Sequence, residues 1–146
     1  MKSFDIDGVL AKSPISAKKK WSQMNGIERR NRKAFLLTWY QYAPPLFSIN
    51  EPIIAISARK NTPEITSITK QWLNKHYPNV VNFYLLNESR SIKNVVKFKS
   101  DIINKLNIEA HYEDNKKVLS GISKNINSDV KLFFWEQGMS DPIQFN

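Results

Sequence analysis

Asp5-Ile6-Asp7 places two carboxylates two residues apart, after Phe4 and immediately before Gly8. One carboxylate at such a spacing can attack while the other shuttles a proton. Further polar groups follow short apolar runs: Ser57 follows Ile53-Ile54-Ala55-Ile56, and Glu113-Asp114 follows Ala110-His111-Tyr112. A hydroxyl at Ser57, with the backbone N–H groups of a turn at Ala58 and Arg59, can hold phosphate oxygens. A carboxylate pair opposite Asp5 would complete an all-oxygen site suited to Mg²⁺, with Lys99 offsetting a phosphate's negative charge.

Taken singly, each of these residues has an ordinary structural explanation. Asp-x-Asp-Gly makes a solvated turn, Ser57 a strand-ending polar residue, Glu113-Asp114 a helix N-cap and Lys99 a surface lysine. Arg59 is balanced between meeting a substrate and decorating the loop after a strand. Order and context lift them together: in open parallel sheets the ligand site lies beyond the carboxyl ends of the strands.

The elements needed to bring those ends together are legible in the hydrophobic pattern. Residues 3–6 read as a short strand stopped at Asp7-Gly8, and Ile53–Ile56 as a buried strand ending at Ser57. Val80–Leu86, Ala110–Glu113 and Val130–Trp135 read as three more. Helices are expected over 17–42, with Asn25-Gly26 a candidate break, from Thr62-Pro63 to about Tyr77, over Ser100–Leu106 with Lys99 at its start, and over Lys116 to about Ile126. Strict alternation of strand and helix argues one α/β domain over 1–146, with a mostly parallel sheet and helices on both faces. The aromatic stripe Trp21, Phe35, Trp39, Tyr40 and Tyr42 is expected to be core, and the basic runs at 18–20 and 29–33 a solvated helix face.

In order, Phe4-Asp5-Ile6-Asp7-Gly8-Val9-Leu10, Ile54-Ala55-Ile56-Ser57-Ala58-Arg59, Phe98-Lys99-Ser100-Asp101 and His111-Tyr112-Glu113-Asp114-Asn115 resemble the four motifs of the haloacid dehalogenase superfamily of phosphohydrolases. The stretches Tyr42–Phe47 and Ile68–His76 are similar to capless or minimal-cap members, including the phosphatase half of polynucleotide kinase-phosphatases and phage relatives. The resemblance implies a Rossmann-like three-layer sandwich with a five-stranded sheet in order 5-4-1-2-3. It places a helical insert at about 17–45, between motifs I and II. It further implies that Asp5 is phosphorylated, that Asp7 protonates the leaving group and activates water, and that Ser57, Ala58 and Lys99 grip the phosphoryl group. Mg²⁺ would sit on Asp5, the Asp7 carbonyl and Asp114, with Glu113 behind them. Motif IV here reads Glu-Asp-Asn where many relatives carry two aspartates.

Composition bounds the rest. The 146 residues contain no cysteine, which excludes disulfides, thiolate metal sites and a cysteine nucleophile and fits a reducing, cytoplasmic setting. Only His76 and His111 are present, so no multi-histidine metal site exists; His111 is expected to pack in or beside the fourth strand. No run approaches the ~20 apolar residues that span a bilayer. The net charge of +9 favours polyanionic partners. Charge does not itself define chemistry. The expected substrate is a nucleotide or a nucleic-acid terminal phosphate because the helical insert is too small to enclose the site; the alternative is a catalytically weak nucleic-acid or protein binding module that uses the basic insert.

Overall fold

Strand β2 (Ile53–Lys60) shows how the layers arise. Ile53 and Ala55 pack with Trp72, Leu73 and Tyr77, whereas Ile54 and Ile56 pack with Val95, Ile103, Leu119 and Ile122. Successive side chains point to opposite faces, so a strand apolar at every position has to be covered on both. Helices α1 (Gly26–Tyr42) and α2 (Pro63–His76) pack together on one side, and α3 (Ile92–Lys105) and α4 (Lys116–Ser123) on the other. The computed structural model that gives this arrangement describes residues 1–15 and 18–145.

The remaining strands are β1 (Lys2–Phe4), β3 (Val80–Leu86), β4 (Ala110–Glu113), β5 (Lys131–Phe134) and β6 (Ile143–Phe145). Their order across the sheet is β3-β2-β1-β4-β5-β6. The first five are parallel neighbours and β6 runs antiparallel to β5. The sheet therefore departs from the expected five strands: counted from the β6 edge it reads 6-5-4-1-2-3. Central β1 pairs with β2 and β4 in one register, Phe4 lying opposite both Ala55 and Tyr112. That register delivers the residues after Phe4, Ile56 and Tyr112 to the same end of the sheet.

Local chemistry sets the helix starts. The Thr62 hydroxyl accepts from the Ile65 amide at 3.3 Å with Pro63 in the first turn, and the Ser91 hydroxyl accepts from the Asn94 amide at 3.1 Å. Asn25 caps α1 by accepting from the Glu28 amide at 2.9 Å, so Asn25-Gly26 begins a helix there; among the described residues of the insert ahead of it lies only a single 3₁₀ turn, Trp21–Gln23. The expected start of the insert at Ala17 falls outside the described residues. The aromatic stripe departs from its expected place in the core. Only Tyr40 is buried and Trp39 packs against the core, while Trp21 is 54% and Tyr42 71% exposed. The insert's two ends explain this: Trp21 precedes the helix that docks, and Tyr42 projects from its last turn. Among the described residues, no helix is long and apolar enough to cross a membrane.

Helices α3 and α4 approach closely at Gly121, where an added Cβ would meet Val96 Cγ2 at 2.5 Å; at Gly26 nothing lies within 4 Å. Gly121→Ala should therefore destabilise the fold by about 1–3 kcal/mol through overpacking. Gly26→Ala should gain about 0.5 kcal/mol by restricting the unfolded chain. Urea denaturation of the two variants should show midpoints displaced in opposite directions.

Candidate active site

Beyond Phe4 the chain folds into a tight turn held from within. The Gly8 amide donates to the Ala11 carbonyl at 2.8 Å and the Ala11 amide to the Ile6 carbonyl at 2.9 Å, while Ile6, Val9, Leu10 and Ala11 are fully buried. Gly8 has φ +92°, and a Cβ there would sit 2.0 Å from Asp114 Oδ2. Glycine at this position both permits the turn and lets Asp114 close against it.

Asp5 stands at the head of this turn, its amide donating to the Tyr112 carbonyl at 2.9 Å. Period-two alternation puts Asp5 with Ser3, and Glu113 with His111, on the face covered by α3 and α4. Carboxylate oxygens of Asp5, Glu113 and Asp114 all lie within 4.8 Å of one another. Lys99 enters the same space from α3: its Nζ donates to Asp5 Oδ1 at 2.9 Å and to Glu113 Oε2. It is 1% exposed. The other Glu113 oxygen accepts from the amides of Asp114 and Asn115 at 3.2 and 3.3 Å, just ahead of α4, which Asn115 caps.

Three carboxylates thus share one lysine, and the excess of negative charge shows in their proton affinities. Burial, then the Glu113 charge, pushes Asp5 up to about 7 although Lys99 opposes the shift. Burial, then Asp5 and Glu113, pushes Asp114 up to about 9. For Glu113, burial disfavours the charge, but adjacent Lys99 overrides it and holds this carboxyl well below the usual range. Lys99 is correspondingly held above the ordinary lysine value: its burial is outweighed by Asp5 and Glu113.

Three expectations are corrected in detail. Ser57 does not end its strand, because β2 continues to Lys60. However, pairing with β3 jumps from Ser57 opposite Leu85 to Lys60 opposite Leu86, which leaves Ala58 and Arg59 without register partners. Lys99 does not open a helix; it lies in the middle of α3, which Ser91 starts much earlier. Arg59 does not decorate a loop, being 1% exposed: its Nε and Nη2 donate to Asp7 Oδ2 and Oδ1 at 2.8 and 2.7 Å, and its Nη1 to Thr69 Oγ1 at 3.0 Å. The Ser57 hydroxyl accepts from the Arg59 amide at 3.1 Å. The Asp7 carboxylate is therefore tied to Arg59, apart from the cluster of three acids. His111 lies in β4, fully buried, with Nδ1 2.8 Å from the Ser3 hydroxyl.

A cleft of about 730 Å³ brings Asp5, Asp7, Ser57, Ala58, Arg59, Lys99, Glu113 and Asp114 onto one surface. Arg32 from α1, Arg90 ahead of α3, and Lys116 and Lys117 of α4 also line it. Sequence reading took Arg32 only as one of the basic run 29–33 of the insert and did not single out Arg90, Lys116 or Lys117. The signal for Lys116 and Lys117 was present, since they directly follow Asn115 at the head of a helix; nothing in the spacing of Arg32 or Arg90 marks them. Searches of protein-family models and of curated proteins find no match to this chain.

Two predictions follow from the geometry. Gly8→Ala should destabilise the protein and displace Asp114, visible as a lowered melting temperature. Asp5 and Asp114 hold protons more tightly when folded than when unfolded, so folding takes protons up, and stability falls as pH rises from the ordinary carboxylate range toward 7 and then 9. In chelator-containing buffer the melting temperature should be higher at pH 5.5 than at pH 8.5, and Asp114→Asn should flatten that slope.

Proposed function

We propose that the protein is a Mg²⁺-dependent phosphohydrolase that cleaves a phosphate monoester through an aspartyl phosphate on Asp5. The observation that carries this reading is the convergence of Asp5, Glu113 and Asp114 around buried Lys99, beside Ser57, at the carboxyl end of a parallel sheet. The same residues carry the four-motif resemblance to the haloacid dehalogenase superfamily.

The donor set fits a hard divalent cation. All three side chains offer oxygen, none offers sulfur or imidazole nitrogen to the cluster, and a single lysine leaves their negative charge in excess. Asp5 and Asp114 would hold Mg²⁺, with the Asp7 carbonyl joining them as the resemblance implies, and the ion would neutralise charge on the phosphoryl oxygens.

The chain's own groups divide the remaining work. Lys99 ties Asp5 Oδ1, so the second oxygen of that carboxylate attacks phosphorus in line; a bond forms from oxygen to phosphorus and the ester bond breaks. Asp7 gives the departing oxygen its proton, then takes one from the water that attacks the aspartyl phosphate, releasing inorganic phosphate and restoring Asp5. Lys99, the Ser57 hydroxyl and the backbone at Ala58 hold the non-bridging oxygens. Glu113 keeps Lys99 charged and in place.

The cleft is far larger than one phosphate, and Arg32, Arg90, Lys116 and Lys117 give it a cationic rim. This favours a substrate with charge beyond the scissile group, a nucleotide or a nucleic-acid end. A second reading, a binding module that uses the insert, draws on the exposed face of α1, where Arg29 lies 5.4 Å over the Trp21 ring and Arg32 5.3 Å over Phe35. Salt-sensitive nucleic-acid binding that survives Asp5→Asn, in a protein without phosphatase activity, would favour it.

Phosphate release should be assayed across 5′- and 3′-phosphorylated nucleotides, oligonucleotides, sugar phosphates and an aryl phosphate, each with and without Mg²⁺. Asp5→Asn should abolish turnover with an unchanged circular dichroism spectrum; substantial remaining activity refutes the nucleophile. Asp114→Asn should raise the Mg²⁺ needed for half-maximal rate about 10-fold or more, and an unchanged titration would move the ligand role to Glu113.

A further inference from the structure

We propose that Tyr40, carried on the helix between β1 and β2, is a positioning residue that holds Asp7 in its working orientation through Arg59. The inference rests on the role given above to Asp7 as proton shuttle.

Asp7 lies in the turn beyond β1, where its backbone makes one isolated bridge to Ala11, so sheet pairing does little to fix the direction of its side chain. Arg59 supplies what the backbone does not. Two parallel hydrogen bonds, 2.8 and 2.7 Å, grip both carboxylate oxygens and fix the plane of the group as well as its position, which a single bond cannot do. Such a fork is only as rigid as its own surroundings. The Arg59 guanidinium is held by Asp7 along one edge, by Thr69 of α2 at Nη1, and by the Tyr40 ring across its face, with Cζ 4.0 Å from the ring centroid.

A flat, delocalised cation packs well on an aromatic face, and burial strengthens the attraction. Tyr40 is 4% exposed and is the one buried residue of α1. The other aromatics of the insert lie half-buried or exposed, so its docking brings this ring in particular against the acid–base pair. Without the ring, one wall of the guanidinium pocket opens; the arginine gains rotational freedom and the carboxylate it grips loses its fixed plane. The insert between β1 and β2 thereby sets the aim of the proton shuttle.

A proton donor matters in proportion to the basicity of the leaving group, which separates misplacement of Asp7 from general damage. With Mg²⁺ present, Tyr40→Leu should lower kcat/KM for an alkyl phosphate by about tenfold or more. It should leave kcat/KM for 2,4-dinitrophenyl phosphate within about twofold of the parent, because that phenolate departs unprotonated. Tyr40→Phe keeps the ring and should recover most of the alkyl phosphate rate. In an Asp7→Asn background Tyr40→Leu should cost nothing further, since it acts only through Asp7. If Tyr40→Leu does not fold, Thr69→Val removes one hydrogen bond to Arg59 and should give the same selectivity in milder form. Equal losses on both esters, or a full additional loss in the Asp7→Asn background, overturn the positioning role and leave the phosphatase reading standing. A parent protein inactive on every ester overturns both.

Discussion

Lys99 carries its charge into the interior from the middle of α3, and a buried ammonium is tolerated there only if it gives up its proton or is surrounded by carboxylates. Here it is surrounded. Its bonds to Asp5 and Glu113 join α3 to the ends of the two strands, β1 and β4, that pair at the centre of the sheet. Taking two ions out of water costs several kcal/mol each, so the pairing is weak evidence of stability on its own. What it fixes is geometry. Removing either partner leaves an uncompensated charge, which holds Asp5 and Glu113 to one arrangement more firmly than packing alone would. Asp114, drawn toward the same point by the Gly8 turn, brings a third carboxylate that the lysine cannot neutralise.

The two halves of the cleft solve different problems with the same kind of bond. On the α3 side a lysine serves as a compact point charge for two acids at the ends of neighbouring strands. On the α1 and α2 side an arginine serves as a plane that aligns one acid lying beyond any strand. The difference follows from where each acid sits. Backbone pairing already orients Asp5 and Glu113, so charge compensation suffices for them, whereas Asp7 sits in a turn and needs direction as well.

How much of this was legible in the sequence varies with how local the cause is. Val80–Leu86 and Ala110–Glu113 have the boundaries read from their apolar runs, and Thr62-Pro63 marks the start of α2, because caps and alternation act over a few residues. Strand β6 was not legible: it is three residues long, follows Pro142 and buries little, so only its pairing with β5 makes it a strand. The start of α3 was misplaced at Ser100, whereas Ser91 is the cap and no acidic residue marks the first turn after it. The apolar stripe Val95, Val96 and Ile103 then places Lys99 at a core position, and a lysine in that slot is a sequence signal for burial. Asp5, Ser57, Lys99 and Asp114 were singled out by their order along the chain, and the fold brings them onto one cleft. The grip of Arg59 on Asp7 was not found, since it joins residues far apart in sequence and depends on β2 continuing past Ser57, which a bulge obscures.

The arrangement of charge constrains how an anion can use the cleft. Arg32, Arg90, Lys116 and Lys117 at the rim attract it, while the floor presents three acids against one lysine and repels it. Arg59 changes this balance little, because its guanidinium is turned toward Asp7 and Thr69 and away from the three acids. A phosphate dianion can therefore reach Asp5 favourably in two circumstances: the floor has taken up protons, or a cation lies among its oxygens. Protonation of Asp114, whose carboxyl is pushed up to about 9, still leaves Asp5 and Glu113 against one lysine, and protonation of Asp5 as well removes the nucleophile, which must be ionised to attack. Only the cation satisfies both demands, and on the phosphatase reading the need for a divalent ion is thus dictated by the local excess of carboxylates as much as by the chemistry of phosphoryl transfer.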